Sequence, residues 1–132
     1  MMKIKNEIVQ AIAKQALQEL PHESCGYVLG IDGVITANYA MTNIDHSSEH
    51  FSFDPKEQFA AIRYARTNRL EVIGNWHSHP SSPSRPSEED IRLAYDPEIA
   101  YLILSLAAAE PVLNAFHIEN GKVTKLPLEV IY

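Results

Sequence analysis

The 132-residue sequence predicts an α/β domain, a mixed β-sheet with helices packed on its faces. Three observations carry this. From Lys3 to Leu20 the apolar residues Ile4, Ile8, Ile12, Ala16 and Leu20 recur four apart, the stripe of an amphipathic helix, and Pro21 closes it. Two pairs with strong turn chemistry, Asp32-Gly33 and Asn120-Gly121, each separate apolar runs, as in β-hairpins. Between the hairpins, helix signals alternate with short apolar runs of strand length.

In chain order, the first hairpin joins Cys25–Ile31 to Val34–Ala40. Glu23 stands at its entry, where a glutamate is ordinarily solvated. Residues 41–50 are polar and aperiodic, so His46 and His50 read as solvated loop histidines. Phe51-Ser52-Phe53 reads as a short strand. Asp54 is placed to cap a helix with Pro55 in its first turn, and Phe59, Ile62, Tyr64 and Ala65 supply its apolar side as far as about Asn68. A strand follows over Glu71–His77, interrupted by Gly74, which marks a bulge or a close backbone approach. The segment Pro80–Pro86 is irregular, Ser87 opens a helix that runs to about Tyr95, and Asp96-Pro97 breaks the chain. Ile99–Leu106 reads as a buried strand, Val112–Glu119 and Lys122–Leu126 form the second hairpin, and Leu128–Tyr132 adds a short strand. The length predicts one domain, 1–132.

Composition excludes several classes. Net charge is −6, which argues against a nucleic-acid surface. Cys25 is the only cysteine, so an internal disulfide and a cysteine-rich zinc finger are both excluded; it reads as a small buried residue. Met1–Gln10 carries no secretory signal pattern, and the longest apolar run, Ile99–Ala109, is too short to span a membrane. A cytoplasmic protein is expected.

The chemistry lies in His77-Ser78-His79 and the residues after it. Side chains alternate along a strand, so His77 and His79 share a face and can bind one ion together. The Pro- and Ser-rich loop that follows ends in Asp90, a carboxylate that can return to the same ion. Two imidazoles and one carboxylate favour zinc and leave the fourth position open, as in catalytic sites. The same donors would suit a non-haem iron oxygenase, and Ser87 with Asp90 also has the spacing of a structural capping box. The zinc-protease signature H-E-x-x-H is absent, because Gly26 stands where its second histidine belongs after His22-Glu23. Hydrolysis needs a proton carrier and an oxyanion donor; Glu23 is the candidate for the first and Ser87 for the second.

Glu23 followed by H-x-H-x7-S-x2-D from His77 to Asp90 resembles the JAMM motif of MPN+ metalloproteases. The matching context is Pro21-x-Glu23-x-Cys25-Gly26-x-x-Leu29-Gly30, Phe51-x-x-Asp54-Pro55, and His77-Ser78-His79-Pro80 with Pro86-Ser87. The resemblance implies a three-layer α/β fold similar to cytidine deaminases, with one zinc per chain on His77, His79 and Asp90. It also implies Glu23 and Ser87 as catalytic residues. The activity implied is cleavage of a peptide or isopeptide bond at the C-terminus of a ubiquitin-like protein. Only a short loop links His79 to Ser87 and the region after Asp90 is compact, so no clasping insertion is evident and the chain looks like the small prokaryotic members, some of which act on sulfur-carrier proteins. A non-catalytic MPN scaffold is the alternative, and an iron oxygenase a more distant one.

Overall fold

A computed structural model describes residues 2–132. The strands are β1 (Met2–Lys5), β2 (Cys25–Ile31), β3 (Val34–Met41), β4 (Glu71–His79), β5 (Ala100–Ser105), β6 (Val112–Glu119), β7 (Lys122–Leu126) and β8 (Leu128–Ile131). The helices are α1 (Asn6–Gln18), α2 (Pro55–Thr67) and α3 (Glu88–Arg92). All eight strands form one sheet in the order β7-β6-β5-β4-β2-β3-β1-β8. The pairs β4–β5, β1–β3 and β1–β8 are parallel and the others antiparallel, so the sheet is mixed as expected. The segment holding α3 is the crossover that parallel β4 and β5 require.

Three layers result. On one face α1 buries Ile8, Ile12, Ala13 and Ala16 against Val28, Ile35, Trp76, Leu102 and Leu104. On the other, α2 covers Cys25, Tyr27, Leu29 and Met41, while Ile91 and Ala94 in and beside α3 cover Ile103, Phe116 and Ile118. The outermost strands β7 and β8 are separated in sequence by Pro127 alone. That spans at most about 7 Å, so the sheet curls until its two ends meet there. Leu126, Leu128 and Val130 all pack against the α1 cluster, so the curl wraps around α1.

Several expectations need correction. The helix predicted over Lys3–Leu20 begins at Asn6, because Met2–Lys5 pair in parallel with β8 and β3. Ile4 is buried from this strand rather than from a helical stripe, and Leu20, beyond the helix end, is exposed. Helix α2 starts as predicted, with the Asp54 side chain accepting from the Lys56 N–H and Pro55 in the first turn. Its buried face is Ala61 and Ala65, however, and Phe59 is 71% exposed. Small side chains let α2 lie close on the sheet. Phe51–Phe53 makes only an isolated bridge, Asn43 with Phe53, and α3 stops at Arg92. Strand β4 runs two residues further than predicted, to His79.

Two glycines allow close approaches that set β4. A Cβ at Gly74 would strike the Ala100 carbonyl oxygen, which accounts for the interruption read in the sequence. A Cβ at Gly26 would lie 2.6 Å from both Trp76 Nε1 and the Tyr39 carbonyl oxygen. The fully buried Trp76 indole donates to Asn38 Oδ1 at 2.8 Å, and Asn38 Nδ2 donates to Gln15 Oε1 of α1 at 3.2 Å. Among the described residues no helix is long and apolar enough to cross a membrane. Gly26→Ala should displace this tryptophan and destabilise the fold by about 1–3 kcal/mol, the usual range for overpacking. Urea unfolding followed by the fluorescence of Trp76 measures it; an unchanged midpoint would mean that the approach is not tight.

Candidate metal centre

β2 and β4 pair antiparallel with Cys25 opposite His77 and Gly26 opposite Trp76. Continuing that register sets Glu23 across from His79. Ser24 locks it: its carbonyl accepts from the Ser78 N–H at 3.0 Å, and its N–H and hydroxyl donate to Ser78 Oγ at 2.8 and 3.0 Å. The period of two then puts Glu23, His77 and His79 on the face that bears α2 and α3. The glutamate predicted to be solvated unless functional is 4% exposed.

Asp90 arrives from α3. The capping box is present: Ser87 Oγ accepts from the Asp90 N–H at 3.0 Å, and Asp90 Oδ2 accepts from the Ser87 N–H at 2.9 Å. The same Oδ2 lies 3.1 Å from the Nε2 atoms of both His77 and His79, which are themselves 3.1 Å apart. The structural and the chemical readings of this helix start therefore share one oxygen. His79 is turned by a Nδ1 contact to the Pro83 carbonyl at 2.9 Å, which calls for hydrogen on Nδ1 and leaves Nε2 with its lone pair. His77 is held by stacking on Phe51, with ring centroids 4.6 Å apart.

These residues fit a zinc ion. Three lone-pair atoms converging at 3.1 Å repel one another unless a proton or a metal ion lies among them. Tetrahedral bonds of about 2.0–2.1 Å would set donors about 3.3 Å apart, close to what is found. Among the described residues this is the only such group of three. Burial drives His77 toward the neutral form that a ligand needs, against the pull of Asp90. Burial also disfavours charge on His79, but its bonds to Asp90 and to the Pro83 carbonyl outweigh that and raise it. Burial opposes ionisation of Asp90 too, yet the two imidazoles hold its carboxyl far below the usual range.

Glu23 differs. Burial pushes its carboxyl up to about 8; His79 opposes this, while Asp90, Glu89 and Glu49 add to it. Its Oε1 is buried without a partner, as is His77 Nδ1. Ser87 is exposed, and because its oxygen accepts from the Asp90 N–H its hydroxyl hydrogen is free to donate. His46 and His50 stay outside the centre. His50 pairs with Asp45 at 3.1 Å and both histidines are exposed, as loop histidines should be. Cys25 is buried and free, and burial pushes its thiol up to about 12.

Beside the centre, a cavity of about 450 Å³ opens between α2 and α3. Tyr27, Phe51, Phe53, Tyr101 and Ile103 line it, and His77 and Asp90 form one edge. Sequence reasoning missed Asn43, Pro83, Ser24 and Ser78 as supports of the site. Only Asn43 had a local signal, the Asx pattern in which its side chain accepts the N–H two residues on, here that of Asp45 at 3.0 Å.

A mixed sheet whose central strand carries paired histidines toward a carboxylate at a helix start defines a JAMM/MPN-type domain. Residues 5–119 match the family of prokaryotic homologues of the JAB domain, and the chain belongs to that family. A CysO-cysteine peptidase of Mycobacterium tuberculosis is 28% identical over 131 residues, 97% of this chain and 90% of that protein. A desampylase of Pyrococcus furiosus is 33% identical over 69 residues, 52% of this chain and 49% of that one. The solution structure of a Desulfitobacterium hafniense protein matches with a TM-score of 0.92 at 40% identity, over 99% of this chain and 93% of that one. A JAB1/MPN domain protein of Archaeoglobus fulgidus, at 24% identity and a TM-score of 0.69 over 99% of this chain and all of that one, shares the fold.

Two outcomes test the centre. His77→Ala should abolish stoichiometric zinc, read by mass spectrometry of the purified protein; tightly bound zinc in that variant would rule out this ligand set. The second concerns Glu23 in chelator-treated protein. A carboxyl raised from 4.5 to about 8 contributes stability that is complete at low pH and is lost as pH rises through about 8. Glu23→Gln, neutral throughout, should therefore gain on the wild type across that window, by on the order of 2–4 kcal/mol at its upper end. Urea unfolding at a series of pH values reads the difference, and a difference independent of pH would refute the burial argument.

Proposed function

We propose that this domain is a zinc-dependent peptidase or isopeptidase that cleaves at the C-terminus of a ubiquitin-like protein, with a sulfur carrier as the favoured substrate. One zinc per chain is held by His77, His79 and Asp90. The observation that carries the reading is the convergence of these three donors at 3.1 Å beside a buried glutamate with an unpartnered oxygen. The names of two relatives, CysO-cysteine peptidase and desampylase, support it. A cytoplasmic setting accords with a single buried, unpaired thiol.

Bound zinc would supply Lewis acidity to a carbonyl oxygen and make water a stronger acid near neutral pH. The chain's own residues do the rest. Glu23 takes a proton from the attacking water and hands it to the departing amine. Ser87 donates its free hydroxyl hydrogen to the oxyanion as it forms. The aromatic cavity between α2 and α3 receives an extended tail and keeps water from the bond being cut. Glu23 and Ser87 would have no clear part in iron oxygenase chemistry.

Glu23→Gln keeps size and removes basicity. It should keep its zinc and lose ~10²–10⁴ in single-turnover cleavage of a carrier protein with a C-terminal extension. Cleavage at the wild-type rate would remove Glu23 from the mechanism. A wild-type protein with full zinc that leaves every such carrier intact would favour the scaffold reading.

A further inference from the structure

Asn43 follows β3, and its side chain is buried at 4% exposure in a segment that is otherwise mostly solvated. Nδ2 donates to the Glu23 carbonyl and to the His50 carbonyl, each at 3.0 Å, and reaches the Ser47 carbonyl at 3.4 Å. Oδ1 accepts from the N–H groups of Asp45 at 3.0 Å and Ser52 at 3.2 Å. An amide has two N–H groups and two lone pairs, and all four are engaged here. The Glu23 N–H donates to the Ser47 carbonyl at 2.8 Å, so both backbone groups of Glu23 are taken by this one segment. The segment closes on itself where the Ile44 N–H donates to the Ser52 carbonyl at 3.1 Å.

Two parts of the site meet at this amide, with the Asp45 carboxylate bonding Ser52 Oγ at 2.7 Å and His50 Nδ1 at 3.1 Å on the outer side of the turn. At one end is the backbone of Glu23. At the other is Phe51, which stacks on His77 and lines the cavity. Ser24 and Ser78 hold the following residue from the β4 side, and nothing else among the described residues bonds the Glu23 backbone. Between the two ends lie Asp45, His46, Ser48, Glu49 and His50, all exposed, so apolar packing does not set the shape of the turn.

We propose that Asn43 is a positioning residue that holds the proton carrier Glu23 and the Phe51 wall of the cleft as one rigid unit. The proposal rests on the reading of Glu23 given above. Without the amide, the buried Glu23 carbonyl and the part-buried His50 carbonyl lose a donor and the Asp45 and Ser52 N–H groups their acceptor, so the turn must reorganise and take Glu23 with it. A displacement of about 1 Å at such a group can cost ~10² in rate.

The test compares Asn43→Ala and Asn43→Ser, each with and without Glu23→Gln, at measured zinc content. Either single replacement should keep its zinc and lower single-turnover cleavage by ~10–100-fold. With Glu23→Gln already present, the same replacement should change the rate by less than ~3-fold, because residues that act as a unit are not additive. Amide hydrogen exchange supplies a readout without substrate. The amides of Glu23 and Ser52 should lose protection together, while those of Gly26 and Trp76 in the β2–β4 ladder keep theirs. Multiplicative rate losses, or protection lost at Ser52 but kept at Glu23, would overturn the proposal. So would failure of both single variants to fold, which would make Asn43 a residue of the fold rather than of the site. If the wild type cleaves no carrier while the exchange result holds, the cleavage reading falls and the coupling of Glu23 to the Phe51 wall stands.

Discussion

The β2–β4 register is the constraint on which the rest depends. Cys25 opposite His77 sets the side chains of both strands to a face from the site as far as the bulge at Val28, and a slip by one residue would exchange the faces. His77 and His79 would then point into the apolar layer under α1, and Trp76 would stand in the cleft. Three devices hold the register. Trp76 is fully buried and bonded to Asn38, Gly26 leaves room for it, and Ser24 and Ser78 bond across the last rung. The clamp sits directly behind the site, so the interaction that fixes strand pairing also fixes the spacing of Glu23 from the histidines.

Asp90 illustrates how a short helix can serve a site. Five residues of α3 bury nothing fully, and of them only Ile91 packs on the core. Their value lies in orientation: the capping box ties the Asp90 carboxylate to the Ser87 N–H, so one oxygen faces both imidazoles with little freedom left to lose on binding an ion. The hydroxyl that completes the cap keeps a hydrogen free to donate. Structure and chemistry here use the same atoms, and neither reading displaces the other.

The buried polar groups are unequal. His77, His79 and Asp90 satisfy one another in part, whereas Glu23 is buried with an oxygen that bonds nothing. Desolvation of that carboxyl is a standing cost, offset by the sheet on one side and by the Asn43 turn on the other. Such a cost has no structural return among the described residues.

The sequence alone determined what is local. Alternation along Trp76-His77-Ser78-His79 gives the two imidazoles a shared face, the Ser87–Asp90 spacing gives a helix start with an inward carboxylate, and the Asp-Gly and Asn-Gly pairs give the hairpins. Each depends on residues within a few positions of one another. Tertiary structure decided the rest. Met2–Lys5 are good helix residues by pattern, and only pairing with β3 and the distant β8 makes them a strand. Phe59 looks like core and Ala61 is core, because the sheet sets how near α2 may come. Asn43 and Glu23 look solvated until non-local pairing buries them side by side. Burial and register are properties of segments far apart in the chain, and no window of sequence contains them.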